Sequence, residues 1–151
     1  MNLRRWTFAV APVVAAAGLG SLGARRAPEV YGRLDKPRWA PAAAVFGPVW
    51  TALYIGNGVA GWRLSDGARP GKALHLVQLG LNAAWPITFF GVRDKRASLL
   101  IIALLDAAVA AEILTVRRSH PAAAALLVPY LGWSAFATAL NAAVSDPGHT
   151  S

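Results

Sequence analysis

Long tracts of the chain carry no charge. Residues 6–24, 39–62, 73–92 and 121–145 hold no Asp, Glu, Lys or Arg, and residues 97–116 hold only Asp106 and Glu112. A helix needs about 20 apolar residues to cross a hydrocarbon layer about 30 Å thick. The five tracts, of 19, 24, 20, 20 and 25 residues, are each long enough. The pattern predicts an all-α membrane protein, a bundle of five transmembrane helices over about residues 6–23, 43–62, 73–91, 97–116 and 121–144. With short connections these use up residues 1–151, so one domain without a soluble appendage is expected.

Small and turn-forming residues refine the boundaries. Ala15, Ala16, Ala17, Gly18 and Gly20 in the first tract, and Gly56, Gly58 and Gly61 in the second, offer surfaces on which another helix can pack closely. The longest connection, Arg25 to Trp39, contains Pro28, Tyr31, Asp35, Lys36 and Pro37 and reads as an ordered interfacial segment. Pro41 and Pro48 bracket the start of the second helix, where a missing N–H is tolerated. Asp66-Gly67 and Pro70-Gly71 mark one turn, Arg93 to Arg96 another, and Pro147-Gly148 is expected to stop the last helix.

Composition changes the picture little. The chain is 56% hydrophobic and 15% charged, with a formal net charge of +8 and no cysteine. The basic residues sit in small groups at tract ends, so lipid phosphates and water are their expected partners and nucleic acid is not. A multi-pass integral membrane protein follows. The first tract has features of a signal peptide, with Arg4 and Arg5, an apolar run, then small residues. Arg25 and Arg26 follow at once and the run is long, which favours a retained helix. Five crossings put seven basic residues on the N-terminal side and eight on the other. The positive-inside rule needs a bias, and orientation stays open.

Polar and aromatic residues fall on helical faces. Trp6, Trp39 and Trp62 lie at tract edges, as interfacial indoles do. Trp50, Trp85 and Trp133 lie near midspan. His75, Gln78, Asn82, Trp85 and Phe89 share one face, Phe46, Trp50, Tyr54, Asn57 and Gly61 another, and Pro129, Trp133, Ala137 and Leu140 a third, with Tyr130 and Asn141 beside it. Amides in hydrocarbon need partners. Two readings stay open, amides that glue helices together or an aromatic pocket with a few orienting amides. Asp106, ten residues into its tract, reads as the deepest ionisable group, with a proton-coupled role or an interhelical contact both open. Glu112, five residues from Arg117, is expected to snorkel outward. The six-residue spacing separates the two acids by about 120° around a helix, so they form no catalytic pair. Neither a nucleophile–base pair, nor metal-ligand spacing, nor a phosphate loop is apparent. No metal and no required cofactor are expected, and His75 as a haem ligand is a minor alternative.

Lys36-Pro37-Arg38-Trp39-Ala40-Pro41 with Val45-Phe46-Gly47-Pro48-Val49-Trp50-Thr51-Ala52-Leu53-Tyr54, then Gln78-Leu79, Leu81-Asn82, Trp85-Pro86 and Phe89-Phe90-Gly91, then Val128-Pro129-Tyr130-Leu131, Trp133, Phe136-Ala137-Thr138 and Leu140-Asn141 resemble the TspO family, also called translocator protein or peripheral benzodiazepine receptor. The resemblance runs in order along nearly the whole chain. It implies a TspO-like five-helix bundle, often a homodimer, whose cavity opens toward the first loop and binds porphyrins or haem, with sterols and benzodiazepine-like drugs as further family ligands. It implies a part in tetrapyrrole transport or regulation. Some bacterial members are described as degrading protoporphyrin in light and oxygen, which would implicate Trp50 and Trp133. Residues carried over to the ligand site are Tyr31, Trp50, Asn82, Phe89, Trp133 and Ala137, with the loop around Pro37–Pro41 as a lid. Trp39, Phe46, Tyr54, Trp85 and Phe90 complete the expected set. Gly80 and Ala84, a small-xxx-small pair on the third helix, are the expected dimer contact. Val30 stands where the family often has tryptophan, and Ala42 replaces a second proline. Ala142-Ala143-Val144-Ser145-Asp146 lacks the tyrosine and basic residue of the animal cholesterol motif.

Overall fold

The computed structural model of the chain describes residues 2–144. The expected stop at Pro147-Gly148, and the Ser145-Asp146 departure from the cholesterol motif, lie outside the described residues, as does His149. The chain is all-helical. Its elements are α1 (Leu3–Gly23), α2 (Ala27–Arg33), α3 (Ala43–Leu64), α4 (Arg69–Pro86) running into a π-helical turn (Ile87–Val92), α5 (Lys95–Val116) and α6 (Pro121–Ala143). Four of them, α1, α3, α5 and α6, are long and apolar enough to cross a membrane. Helix α4 differs in composition, since Arg69 and Lys72 open it and His75, Gln78 and Asn82 mark its buried face.

Local chemistry accounts for the ends. Asn2 caps α1 by accepting from the Arg5 N–H, and Asp94 caps α5 by accepting from the Ala97 N–H at 2.9 Å. Prolines occupy the first turns of α2, α4 and α6, where their missing N–H is harmless. The connection Arg25 to Trp39 is ordered, as its residues suggested, and its first half is the helix α2.

The third tract departs from a single α-helix. Pro86 cannot donate to the carbonyl four residues back and its ring crowds that turn, and the backbone widens directly after it into the π turn. The Thr88 hydroxyl donates back to the Ala84 carbonyl at 2.9 Å, tying the start of the π turn to the last turn of α4. The segment ends at Arg93, whose φ of 63° is left-handed.

Helix α1 packs between α3 and α4, α5 between α4 and α6, and α6 returns to α3, closing a ring in which α3 and α4 barely touch. The interior holds polar groups among its apolar residues, while large apolar side chains cover the outside. Buried positions include Asn57, His75, Gln78, Asn82, Glu112, Ser134 and Asn141, whereas Leu3, Val14, Ile55, Leu100, Leu114 and Val128 face outward. Hydrocarbon around the ring favours this arrangement, because lipid accepts apolar side chains and polar groups must bond inside.

Candidate functional site

The stripe on α4 and the stripe on α3 meet across a one-directional hydrogen-bond chain. The Tyr54 hydroxyl donates to Asn82 Oδ1 at 2.7 Å, and Asn82 Nδ2 donates to the Tyr130 hydroxyl at 2.8 Å. Tyr130 donates to Gln78 Oε1 at 2.8 Å, Gln78 Nε2 to Asn57 Oδ1 at 2.8 Å, and Asn57 Nδ2 to the Leu53 carbonyl at 3.0 Å. Each amide thus finds partners inside the bundle, as a low-dielectric interior requires. Trp85 is tied separately, its indole N–H donating to Asn141 Oδ1 at 2.9 Å while its ring stacks on Phe89 at 5.3 Å.

At the outer end of this network lies a cavity of about 450 Å³. Small residues of α1 (Ala17, Gly20, Ser21) and its cap Ala24 form one wall, and Phe46, Trp50 and Tyr54 of α3 form the opposite one. Asn82, Trp85, Pro86 and Phe90 make the floor, and Ala27, Pro28 and Tyr31 close the top. Tyr31 is fixed there by donating to the Pro41 carbonyl at 2.6 Å and by an edge contact with Phe46 at 5.2 Å. Lys36 lies over the Tyr31 ring at 4.7 Å and donates to the Tyr31 carbonyl at 2.7 Å. Burial pushes the Tyr31 phenol up from its ordinary range. The lining carries no formal charge, so an apolar, planar molecule with a few polar atoms is what it suits.

Of the expected site residues, Tyr31, Phe46, Trp50, Tyr54, Asn82, Trp85 and Phe90 line this cavity. Trp133 lies behind it, with ring contacts to Trp50 at 6.5 Å, Phe46 at 5.7 Å and Phe136 at 5.3 Å, and its buried indole N–H has no partner among the described residues. Trp39 rests edge-on against Phe136, half exposed, Phe89 packs against Trp85 and Phe90 without lining the cavity, and Ala137 is buried in the core. The π turn explains the Phe89–Phe90 division, because widening the helix rotates the residues after Pro86 out of the 3.6-residue register. Pro129, expected on the inward face of the last helix, is exposed instead, and Tyr130 and Ser134 take the buried side.

The acids are arranged otherwise than expected. Glu112 does not reach outward: it is fully buried and its Oε1 meets His75 Nδ1 at 2.7 Å. Asp106, expected to be the deepest ionisable group, is only half-buried and accepts hydrogen bonds from Ser134 and Thr138 of α6. Face decides this, not distance from the helix end. Ser98, Ile102, Leu105, Val109, Glu112 and Val116 form one buried stripe of α5. That apolar stripe running through Glu112 was the sequence signal for its burial. As expected, the two acids serve different partners. His75 stands apart from the cavity lining, beneath Phe8 and Gly61.

Comparison with known proteins agrees with this architecture. The model of the TspO/MBR family matches residues 8–145. The chain is 37% identical over 150 residues to the tryptophan-rich protein TspO of Archaeoglobus fulgidus, covering 95% of this chain and 97% of that protein. It is 39% identical over 126 residues to the translocator protein of Homo sapiens, covering 79% and 75% respectively. It is 32% identical over 139 residues to the tryptophan-rich sensory protein of Cereibacter sphaeroides, covering 90% and 88%. With a match that spans nearly all of its helices, this membrane protein belongs to the TspO/MBR family.

Proposed function

We propose that the protein binds porphyrins or haem in the cavity between α1, α3 and α4 and takes part in tetrapyrrole transport or regulation, crossing the bilayer five times. The observation that carries this reading is an uncharged cavity of about 450 Å³ walled by Trp50, Tyr54, Phe46 and Trp85. Its size falls within the usual range for small-molecule sites, and indole and phenol faces stack on extended π systems. The fifth crossing is assigned to α4 with the π turn, 18 and 6 residues, whose polar face is turned inward, with Gln78 and Asn82 bonded inside the bundle. Benzodiazepine-like and sterol-like molecules suit the same apolar walls. The resident cofactor is none, and the porphyrin is cargo or signal.

Titrating purified protein with protoporphyrin IX, read by tryptophan quenching, tests this. Trp50→Phe together with Tyr54→Phe is expected to weaken binding about thirtyfold, given about 1 kcal/mol for each aromatic or hydrogen-bonding contact. Unchanged affinity and quenching in that variant would refute the site.

A second reading is light- and oxygen-dependent porphyrin degradation in the same cavity. It rests on the indole cluster, with Trp50 at the wall and Trp85 and Trp133 each 6.5 Å from it. Illumination of the complex in air should then bleach the porphyrin band, and Trp50→Phe should slow the bleaching. A band that persists leaves binding alone.

A homodimer through α4 is part of the proposal. Gly80 faces outward with open space around its Cα, and Ala84 lies one turn along, half-buried. Finding only monomer by crosslinking in native-like lipid would remove it.

A further inference from the structure

We infer that a second cleft, on the other side of α2 from the aromatic cavity, is a headgroup site for an anionic phospholipid. The cleft has a volume of about 410 Å³ and is formed where α1, α2 and the π turn end together. Among the described residues four arginines line it, Arg25, Arg26, Arg33 and Arg93, with one acid, Glu29. Arg33 and Arg26 reach the Glu29 carboxylate at 2.9 and 3.2 Å, and Arg93 adds to the field there. Together they hold Glu29 below the ordinary carboxylate range, with the Arg26 hydrogen bond as the largest cause. Glu29 is thus a built-in anion shared between Arg26 and Arg33. The side chains of Arg26 and Arg33 are 73% and 66% exposed, so their guanidinium groups are open to a further anion.

Arg93 adds an independent observation. It holds a left-handed φ of 63° at the end of the π turn, a position where glycine is the ordinary residue. A side chain there is strained, and such strain gathers at binding sites. Here it brings a fourth guanidinium to the cleft. Guanidinium forks match phosphate oxygens two at a time.

The depth of the cleft selects the source of the phosphate. Leu22, Val30 and Phe90 are its apolar lining, and Leu22 sits at the end of the apolar helix α1, where headgroups lie. Leu22 and Val92, 59% and 70% exposed, continue that lining onto the outer surface, where an acyl chain would run. Between the cleft and the aromatic cavity α1 and the π turn meet backbone to backbone. A Cβ on Gly23 would lie 2.6 Å from both N and Cα of Ile87. The two volumes are therefore partitioned, and the lipid site is distinct from the ligand site proposed above.

Native mass spectrometry of the full chain in detergent tests the assignment, with phosphatidylglycerol, phosphatidylcholine and inorganic phosphate as probes. Phosphatidylglycerol should be retained well above phosphatidylcholine, and excess inorganic phosphate should not strip it. Arg33→Gln with Arg93→Gln should weaken phosphatidylglycerol retention about fivefold per charge removed, from about 1 kcal/mol each. Glu29→Gln, which frees guanidinium groups, should strengthen it. Equal retention of the two lipids, or a folded double variant that retains phosphatidylglycerol fully, would overturn the site. Displacement by inorganic phosphate would reassign it to a soluble anion and equally overturn the lipid. Should the double variant fail to fold, Glu29→Gln decides alone, and retention that is unchanged or weaker sinks the proposal.

Discussion

At the residue scale the buried polar groups carry the sharpest expectations. His75 and Glu112 bond to one another in full burial, with His75 Nε2 and Glu112 Oε2 unpartnered among the described residues. Removing one member strands the other in an apolar setting, which typically costs about 3 kcal/mol or more, whereas replacing both by apolar residues is often close to neutral. Glu112→Leu should therefore lower the melting temperature sharply in detergent, and His75→Leu with Glu112→Leu should recover most of the loss. If the double variant is as unstable as the single one, the pair is not acting as a unit. Asn82 accepts from Tyr54 and donates to Tyr130, so Asn82→Ala leaves two hydroxyls short of a partner. A loss of about 1–2 kcal/mol is expected. The inward faces of α3 and α4 were legible from the spacing of Tyr54, Asn57, Gln78 and Asn82 alone. The His75–Glu112 pair was not, because its position near a helix end suggested water, and the helix face that carries Glu112 only becomes decisive once α4 is packed against it.

At the scale of elements, the helix boundaries followed closely from where charges, prolines and glycines interrupt the apolar tracts. Two features did not. Helix α2 is seven residues long within a charged connection, too short for periodicity to reveal. The π turn has an α-like sequence pattern, and only the backbone after Pro86 distinguishes it. Pro86→Ala is expected to restore α geometry there and swing Phe89 and Phe90 from their present directions, lowering porphyrin affinity while the total helicity by circular dichroism holds. The α1–π contact gives a paired test. Gly23→Ala forces a methyl against the Ile87 backbone, whereas Gly18→Ala meets nothing within 4 Å. The first should destabilise by about 1–3 kcal/mol, and the second should be neutral or slightly stabilising through helix propensity. Equal melting temperatures would show that α1 does not lie against the π turn.

For the whole molecule, the absence of cysteine makes topology directly measurable. Single cysteines at Asp66 and Ser119 should label from one side of the membrane, and those at Asp35 and Arg96 from the other. If Asp66 and Arg96 label from the same side, α4 does not cross. This experiment also fixes the orientation that seven basic residues against eight cannot. The ring of helices has a further consequence for how a ligand comes and goes. Helices α3 and α4 barely touch, and α1 fills the gap between them with alanine and glycine. Its two ends are anchored, by Arg5 bonding to Ser65 and Asp66 and by Gly23 against Ile87, while Pro12 interrupts its backbone between them. Exchange of the proposed ligand would then require only that α1 bow outward at a proline, with no other helix pair parting. Ligand on- and off-rates should then fall together when α1 is tethered to α3 at mid-height, leaving the equilibrium affinity nearly untouched. The first loop would set how tightly the cavity holds, and the bilayer pressing on α1 would set how quickly it fills.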